Sequence, residues 1–149
     1  MAIRQIRYKD DEILSKKCKE VKVFDKKLWI LLDDMNETMK QANGVGLAAP
    51  QVGIMKRVVT IDIGDGKIEM INPEITETSG SQIGSEGCLS FPGLFGEVER
   101  PDYVKAKAYD RNGNEFIVEG NGLLARAICH ECDHLDGIVF TSHVIRYVD

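Results

Sequence analysis

Apolar side chains recur along this 149-residue chain with two periods, and the change of period marks its elements. Across residues 25–41, Leu28, Leu31, Leu32, Met35 and Met39 fall three or four apart, which is one face of a helix. Asp25 is suited to cap the start of that helix, and Asn43-Gly44 to stop it. Residues 57–63 and 68–71 are rich in Val and Ile and read as strands joined through Gly64-Asp65-Gly66. Residues 103–109 alternate strictly, with Val104, Ala106 and Ala108 on one face. The turn sequence Asp110-Arg111-Asn112-Gly113-Asn114 then leads to Phe116-Ile117-Val118, a hairpin. Asn121 opens a second helix that Asp136-Gly137 ends, and residues 138–148 form a short extended segment. No linker, repeat or low-complexity stretch interrupts the chain, so residues 1–149 are expected to be a single domain. The expected class is α+β, with antiparallel strands surrounding a central helix, the second one.

Composition narrows the picture. A hydrophobic share of 43% with 29% charged residues is that of a water-exposed domain with one core. A chain of this length buries about 70% of its unfolded surface. No apolar run approaches the roughly 20 residues of a membrane-spanning helix. The N-terminus lacks an apolar signal core, and four cysteines without one point to reduced thiols and a cytoplasmic location. A net charge of −5 argues against general affinity for nucleic acid, and the lysines at 16, 17 and 19 read as a solvated face.

The chemistry concentrates in the second helix, at His130-Glu131-Cys132-Asp133-His134. Residues advance about 100° each on a helix, so the two histidines lie roughly 40° apart and can chelate one metal ion. Glu131 falls beside that stripe, within reach of a metal-activated water without being a ligand. A catalytic site needs a third protein ligand, and the downstream options fail. Phe140 stands where one H-E-x-x-H class has its third histidine, and no Glu follows Glu131. Cys88, in Glu86-Gly87-Cys88-Leu89-Ser90, is the best upstream donor, because a thiolate binds transition metals strongly and Gly87 leaves it room. Alone, Cys88 could equally be a small buried residue. Cys129 and Cys132 face away from the histidines and read as core cysteines rather than a redox pair.

Three segments together carry a resemblance: Gly44-Val45-Gly46-Leu47-Ala48-Ala49-Pro50-Gln51-Val52-Gly53, Glu86-Gly87-Cys88-Leu89-Ser90 and His130-Glu131-Cys132-Asp133-His134. In sequence and order they resemble the three motifs of peptide deformylases. The resemblance implies a metal-dependent hydrolase that removes the formyl group from N-formylmethionyl nascent peptides and releases formate. It implies one divalent ion on Cys88, His130 and His134, with Fe2+ physiological and Zn2+, Ni2+ or Co2+ able to replace it. Glu131 would serve as general base and then general acid. The Gln51 side-chain amide and the Leu89 backbone N–H would stabilise the oxyanion. Val45, Leu123, Ala127 and the ring of His130 would line a slot for the methionine side chain, although Leu123 and Ala127 equally suit plain core packing. The two-glycine loop at Gly44 and Gly46 would let an extended peptide lie against backbone. Read as a nucleotide loop it fails, since it follows a helix and runs into Pro50. Glu86, Asp133 and Asp136 are carboxylates suited to orient ligand imidazoles.

Two departures from the family pattern stand out. Many short-type members carry an arginine seven residues beyond the cysteine, where this chain has Phe95. Only 15 residues follow His134, without the C-terminal helix some members use to dock on the ribosome, so only transient ribosome contact is expected. Two other functions use the same residues. One is a metallopeptidase acting on unformylated peptides, and the other a closed four-ligand metal site with no catalysis.

Overall fold

A computed structural model describes residues 2–148. The two helices occupy the expected places: α1 spans Lys26–Gln41 and α2 spans Gly122–Leu135. Asp25 caps α1, its side chain accepting from the Leu28 N–H at 3.2 Å, and Asn43 beyond the helix end has φ +58°. Asn121 and Asp136 flank α2, and Gly137 turns the chain away at φ +75°.

Among the described residues, eight strands form two antiparallel sheets. The larger has the order β1-β2-β3-β6-β7, from Gly46–Ala48, Val58–Ile61, Ile68–Ser79, Tyr103–Tyr109 and Glu115–Asn121. The smaller has the order β4-β5-β8, from Gln82–Cys88, Phe91–Arg100 and Val144–Val148. This is the expected α+β arrangement, with α2 packed against both sheets.

Strand β2 explains why its sequence reads as an unbroken apolar run. Val58 and Thr60 face α1, where they meet Leu28, Leu32 and Asn36, while Val59 and Ile61 face Ile128 and Leu135 of α2. Both faces are covered, so all four residues of β2 are buried. Strand β6 has one covered face, and Val104, Ala106 and Ala108 are each fully buried there, as the alternation predicts.

Four elements differ from expectation. Strand β3 continues to Ser79, because Asn72 (φ +52°) and Pro73 make a bulge rather than a stop, and the ladder to β6 shifts register there. The Asn72 side chain bridges the Val21 N–H and carbonyl at 2.8 and 2.9 Å, pinning the N-terminal segment to the sheet. Strands β4 and β5 had no sequence signal: Gln82–Cys88 holds one large apolar residue, and Phe91–Arg100 holds Pro92, Gly93 and Gly96. The segment at 138–148 splits into a 3-10 turn at Phe140–Ser142 and the edge strand β8.

Leu32 is fully buried between α1 and the sheet. Leu32→Ala is expected to destabilise the fold by about 2–5 kcal/mol, read as a lower urea midpoint with unchanged slope.

Candidate active site

Helix α2 is buried along nearly its whole length, and two of its polar residues point at the end of β4. His130, His134 and Cys88 offer ligand atoms that all lie within 4.8 Å of one another. Cys88 Sγ is 3.3 Å from His134 Nε2. His130 Nδ1 meets Glu86 Oε1 at 2.9 Å, which leaves Nε2 to face the cluster. Among the described residues this is the one such convergence of His, Cys, Asp and Glu donors.

The two imidazoles are driven in opposite directions. Burial pulls the His130 pKa down, but hydrogen bonds to Cys88 and Glu86 and the nearby Glu131 charge outweigh it, raising it to about 10. Burial takes His134 down to about 3, with the His130 charge adding to the effect. Two adjacent rings with one set of anionic partners divide a proton in this way. A divalent cation in place of that proton suits both rings, and the thiolate–imidazole donor set fits a transition metal with one position left open.

Glu131 is almost completely buried beside the cluster. Burial raises its pKa to about 7, only partly offset by His130. Its Oε1 has no hydrogen-bond partner, so this oxygen is available to a reacting group. Gly46 of β1 makes the room for it, since a Cβ at that position would collide with Glu131 Oε2. Gln51 is also buried, in the 3-10 turn Ala49–Val52 that follows β1. Its Oε1 accepts from the Ala48 N–H at 2.9 Å. Its amide nitrogen donates to Ser90 Oγ at 3.0 Å and to Cys88 Sγ at 3.4 Å, so the amide is aimed at the cluster. Leu89 lies in the tight turn joining β4 to β5, directly after Cys88, with its side chain over Gly44.

A cavity of about 390 Å³ opens onto these groups, lined by Val45, Gly46, Leu123, Ala127, His130 and Glu131 among others. Val45 and Leu123 are half-exposed at its mouth, 45% and 51%, which separates them from ordinary core residues; Ala127 is buried on its wall. Phe95 occupies the rim. The cavity lies between two sheet edges, β1 of the larger sheet and β4 of the smaller.

The other candidates separate cleanly. Of the three carboxylates considered for orienting imidazoles, only Glu86 meets a ligand ring. Asp133 pairs with Arg100 at 2.8 Å and His143 at 3.3 Å, and Asp136 with Arg57 at 3.0 Å. Phe140 stacks on the His130 ring at 5.8 Å. Cys129 and Cys132 pack in the core with Val59, Met70 and Leu135. Burial pushes the Cys129 thiol up to about 11 and Cys132 higher still, so both are inert thiols.

Sequence reasoning passed over the support beneath the cluster. Arg100 and Arg126, both buried, hold Glu86 from two sides at 2.7–3.0 Å, and Ser90 anchors Gln51. The available signal was a charged residue, Arg126, at a core-facing position in the apolar first half of α2.

An apolar cavity ending on a Cys/His/His donor set and a buried carboxylate defines a metal-dependent hydrolase. The sequence model of the polypeptide deformylase family matches residues 3–148. Peptide deformylase of Caldicellulosiruptor bescii is 62% identical over 148 residues, 99% of this chain and 89% of that one. Peptide deformylase 1 of Bacillus anthracis is 58% identical over 151 residues, covering 100% and 97%. The crystal structure of the Thermotoga maritima peptide deformylase superposes with a TM-score of 0.95 at 41% identity, covering 97% of this chain and 99% of that one. The Ehrlichia chaffeensis enzyme in complex with actinonin gives 0.95 at 38% identity, covering 97% and 90%. This chain belongs to the polypeptide deformylase family, metal-dependent hydrolases that remove the N-formyl group from nascent peptides. No helix among the described residues is long and apolar enough to cross a membrane.

The buried Glu131 carboxyl has a linked effect on stability. In metal-free protein its folded-state pKa of about 7 stands above the ordinary 4.5. Its stabilising contribution is therefore full below the ordinary value and is lost as pH rises through the folded one. Relative to wild type, Glu131→Gln should gain stability across that window, reaching on the order of 3 kcal/mol above neutrality. Urea unfolding of both metal-free proteins over a pH series checks this; a pH-independent difference contradicts it.

Proposed function

We propose that residues 1–149 act as one catalytic domain in which Cys88, His130 and His134 hold a single divalent ion. Ferrous iron is the working ion in this reading, with zinc, nickel or cobalt able to replace it. The observation that carries the reading is the convergence of three donor atoms within 4.8 Å at the base of a cavity that also exposes Glu131. When bound, the ion supplies a Lewis acid that polarises the formyl carbonyl and eases deprotonation of water near neutral pH.

This chain's own groups do the rest. Glu131 Oε1, without a partner and with its pKa raised toward neutrality, accepts a proton from the attacking water. It then returns the proton to the leaving amine nitrogen, which frees the peptide amino terminus and formate. The Gln51 amide, held by Ala48 and Ser90, donates to the oxygen that becomes negative, and the Leu89 N–H donates beside it. Both donors are held in position before the reaction, so little reorganisation is needed as charge develops.

The substrate backbone lies extended between the free edges of β1 and β4, against Gly46, where a strand can be added to either sheet. Its methionine side chain enters the cavity past Val45 and Leu123 toward Ala127 and the His130 ring. The enzyme works in the cytoplasm, where formylated chains are made. In this reading any contact with the ribosome is transient.

Formate release from formyl-Met-Ala-Ser, with protein purified anaerobically and loaded with Fe2+ or Ni2+, tests the assignment. Glu131→Ala should abolish release while the ion stays bound, and Gln51→Ala should lower kcat by about 10²–10³. Loss of the ion in Glu131→Ala, or a wild-type rate in metal-replete Gln51→Ala, would overturn the respective role.

A further inference from the structure

Helix α2 carries one charge that none of the three motifs claims. Arg126 lies one turn before His130 and is 6% exposed. On β4, Gln82, Gly84, Glu86 and Cys88 fall two apart and so share one face. Arg126 is seated against that face. Its Nη1 donates to Glu86 Oε2 at 2.7 Å and to the Val98 carbonyl of β5 at 3.0 Å, and its Nη2 to Gln82 Oε1 at 3.3 Å. Gly84 supplies the clearance, because a Cβ there would lie 3.0 Å from Nη2. The other oxygen of Glu86 meets His130 Nδ1 at 2.9 Å, and Cys88 faces His134 at 3.3 Å further along the strand.

We propose that Arg126 is a positioning residue: it fixes helix α2 against strand β4, and so fixes where the two imidazoles meet the Cys88 thiolate. The proposal rests on Cys88, His130 and His134 being the ligands. The ion draws on two separate elements, and no covalent link sets the distance between them. A guanidinium suits the task because its donors leave a rigid plane, so three acceptors on β4 and β5 constrain its position and orientation together. Arg100 works from the other direction, reaching from β5 to Glu86 and to Asp133 of α2. Glu86 is thus gripped from α2 and from β5, and its hold on His130 is as firm as those two grips.

Cobalt-loaded protein tests the proposal without reference to turnover. The thiolate-to-cobalt absorption band reports Cys88 bound to the ion, and competition with a chelator gives the affinity. Wild type should show the band and Cys88→Ala should lose it; a wild type without the band overturns the ligand reading and the clamp with it. Given the band, Arg126→Met should weaken cobalt retention about 10–100-fold and shift the band, with Arg126→Lys restoring part of the loss. Gly84→Ala keeps every charge and displaces only the guanidinium, so it should move both readouts the same way. It alone decides if Arg126→Met does not fold. A lower melting temperature with unchanged band and affinity in these variants would overturn the proposal and leave Arg126 a purely structural residue.

Discussion

A helix that must be buried and must also carry two imidazoles and a carboxylate is the constraint around which this molecule is built. Ten of the fourteen residues of α2 are buried. Burying polar groups without partners costs several kcal/mol each, so the surroundings have to supply partners. They do so through one carboxylate. Glu86 receives Arg100, Arg126 and His130 together, and Arg100 and His130 hold its pKa down to about 2 against the upward pull of burial. The cluster contains charges of both signs, so no ion is buried alone. Two buried side-chain atoms among the described residues lack a partner, His134 Nδ1 and Glu131 Oε1. The unpartnered oxygen and raised pKa of Glu131 are a local destabilisation placed where proton transfer has to occur.

The two sheets divide the remaining work. The larger is covered by α2 on one face and, along β1 and β2, by α1 on the other, which gives α2 a rigid apolar backing through Val59, Ile61 and Met70. The smaller packs its own apolar cluster of Phe91, Val98 and Phe140, and it delivers Cys88, Glu86 and Arg100 to the opposite side of α2. The cavity is the gap left where the edges of the two sheets do not meet. Glycine recurs at that gap for a steric reason: a side chain at Gly44 would strike Leu89, and one at Gly46 would strike Glu131.

Much of this was legible in local pattern. The helical stripe at Leu28, Leu31, Leu32, Met35 and Met39 and the alternation at Val104, Ala106 and Ala108 each coincide with an element bounded as expected. The histidine spacing and the failure of Phe140 as a ligand led upstream to Cys88 by chemistry alone. Strands β4 and β5 were invisible because Gly84, Gly87, Pro92, Gly93 and Gly96 break any strand pattern, and pairing between them and with β8 makes them strands. The strand read at residues 68–71 continues to Ser79, because pairing with β6 carries it past the bulge at Asn72-Pro73.

The sequence by itself determined the helices, the two imidazoles on one helical face and the adjacent carboxylate, because those depend on neighbours within about four residues. Tertiary structure alone decided the rest. It selected Glu86 over Asp133 and Asp136 as the partner of His130, aimed the Gln51 amide at Cys88, and drew Arg126 under the site from among apolar neighbours in the first half of α2. Those choices depend on pairs 37 to 46 residues apart, such as Gln51 with Cys88 and Cys88 with His134. Spacing along a chain carries no information about distance across such separations until strand pairing and core packing have closed the intervening loops.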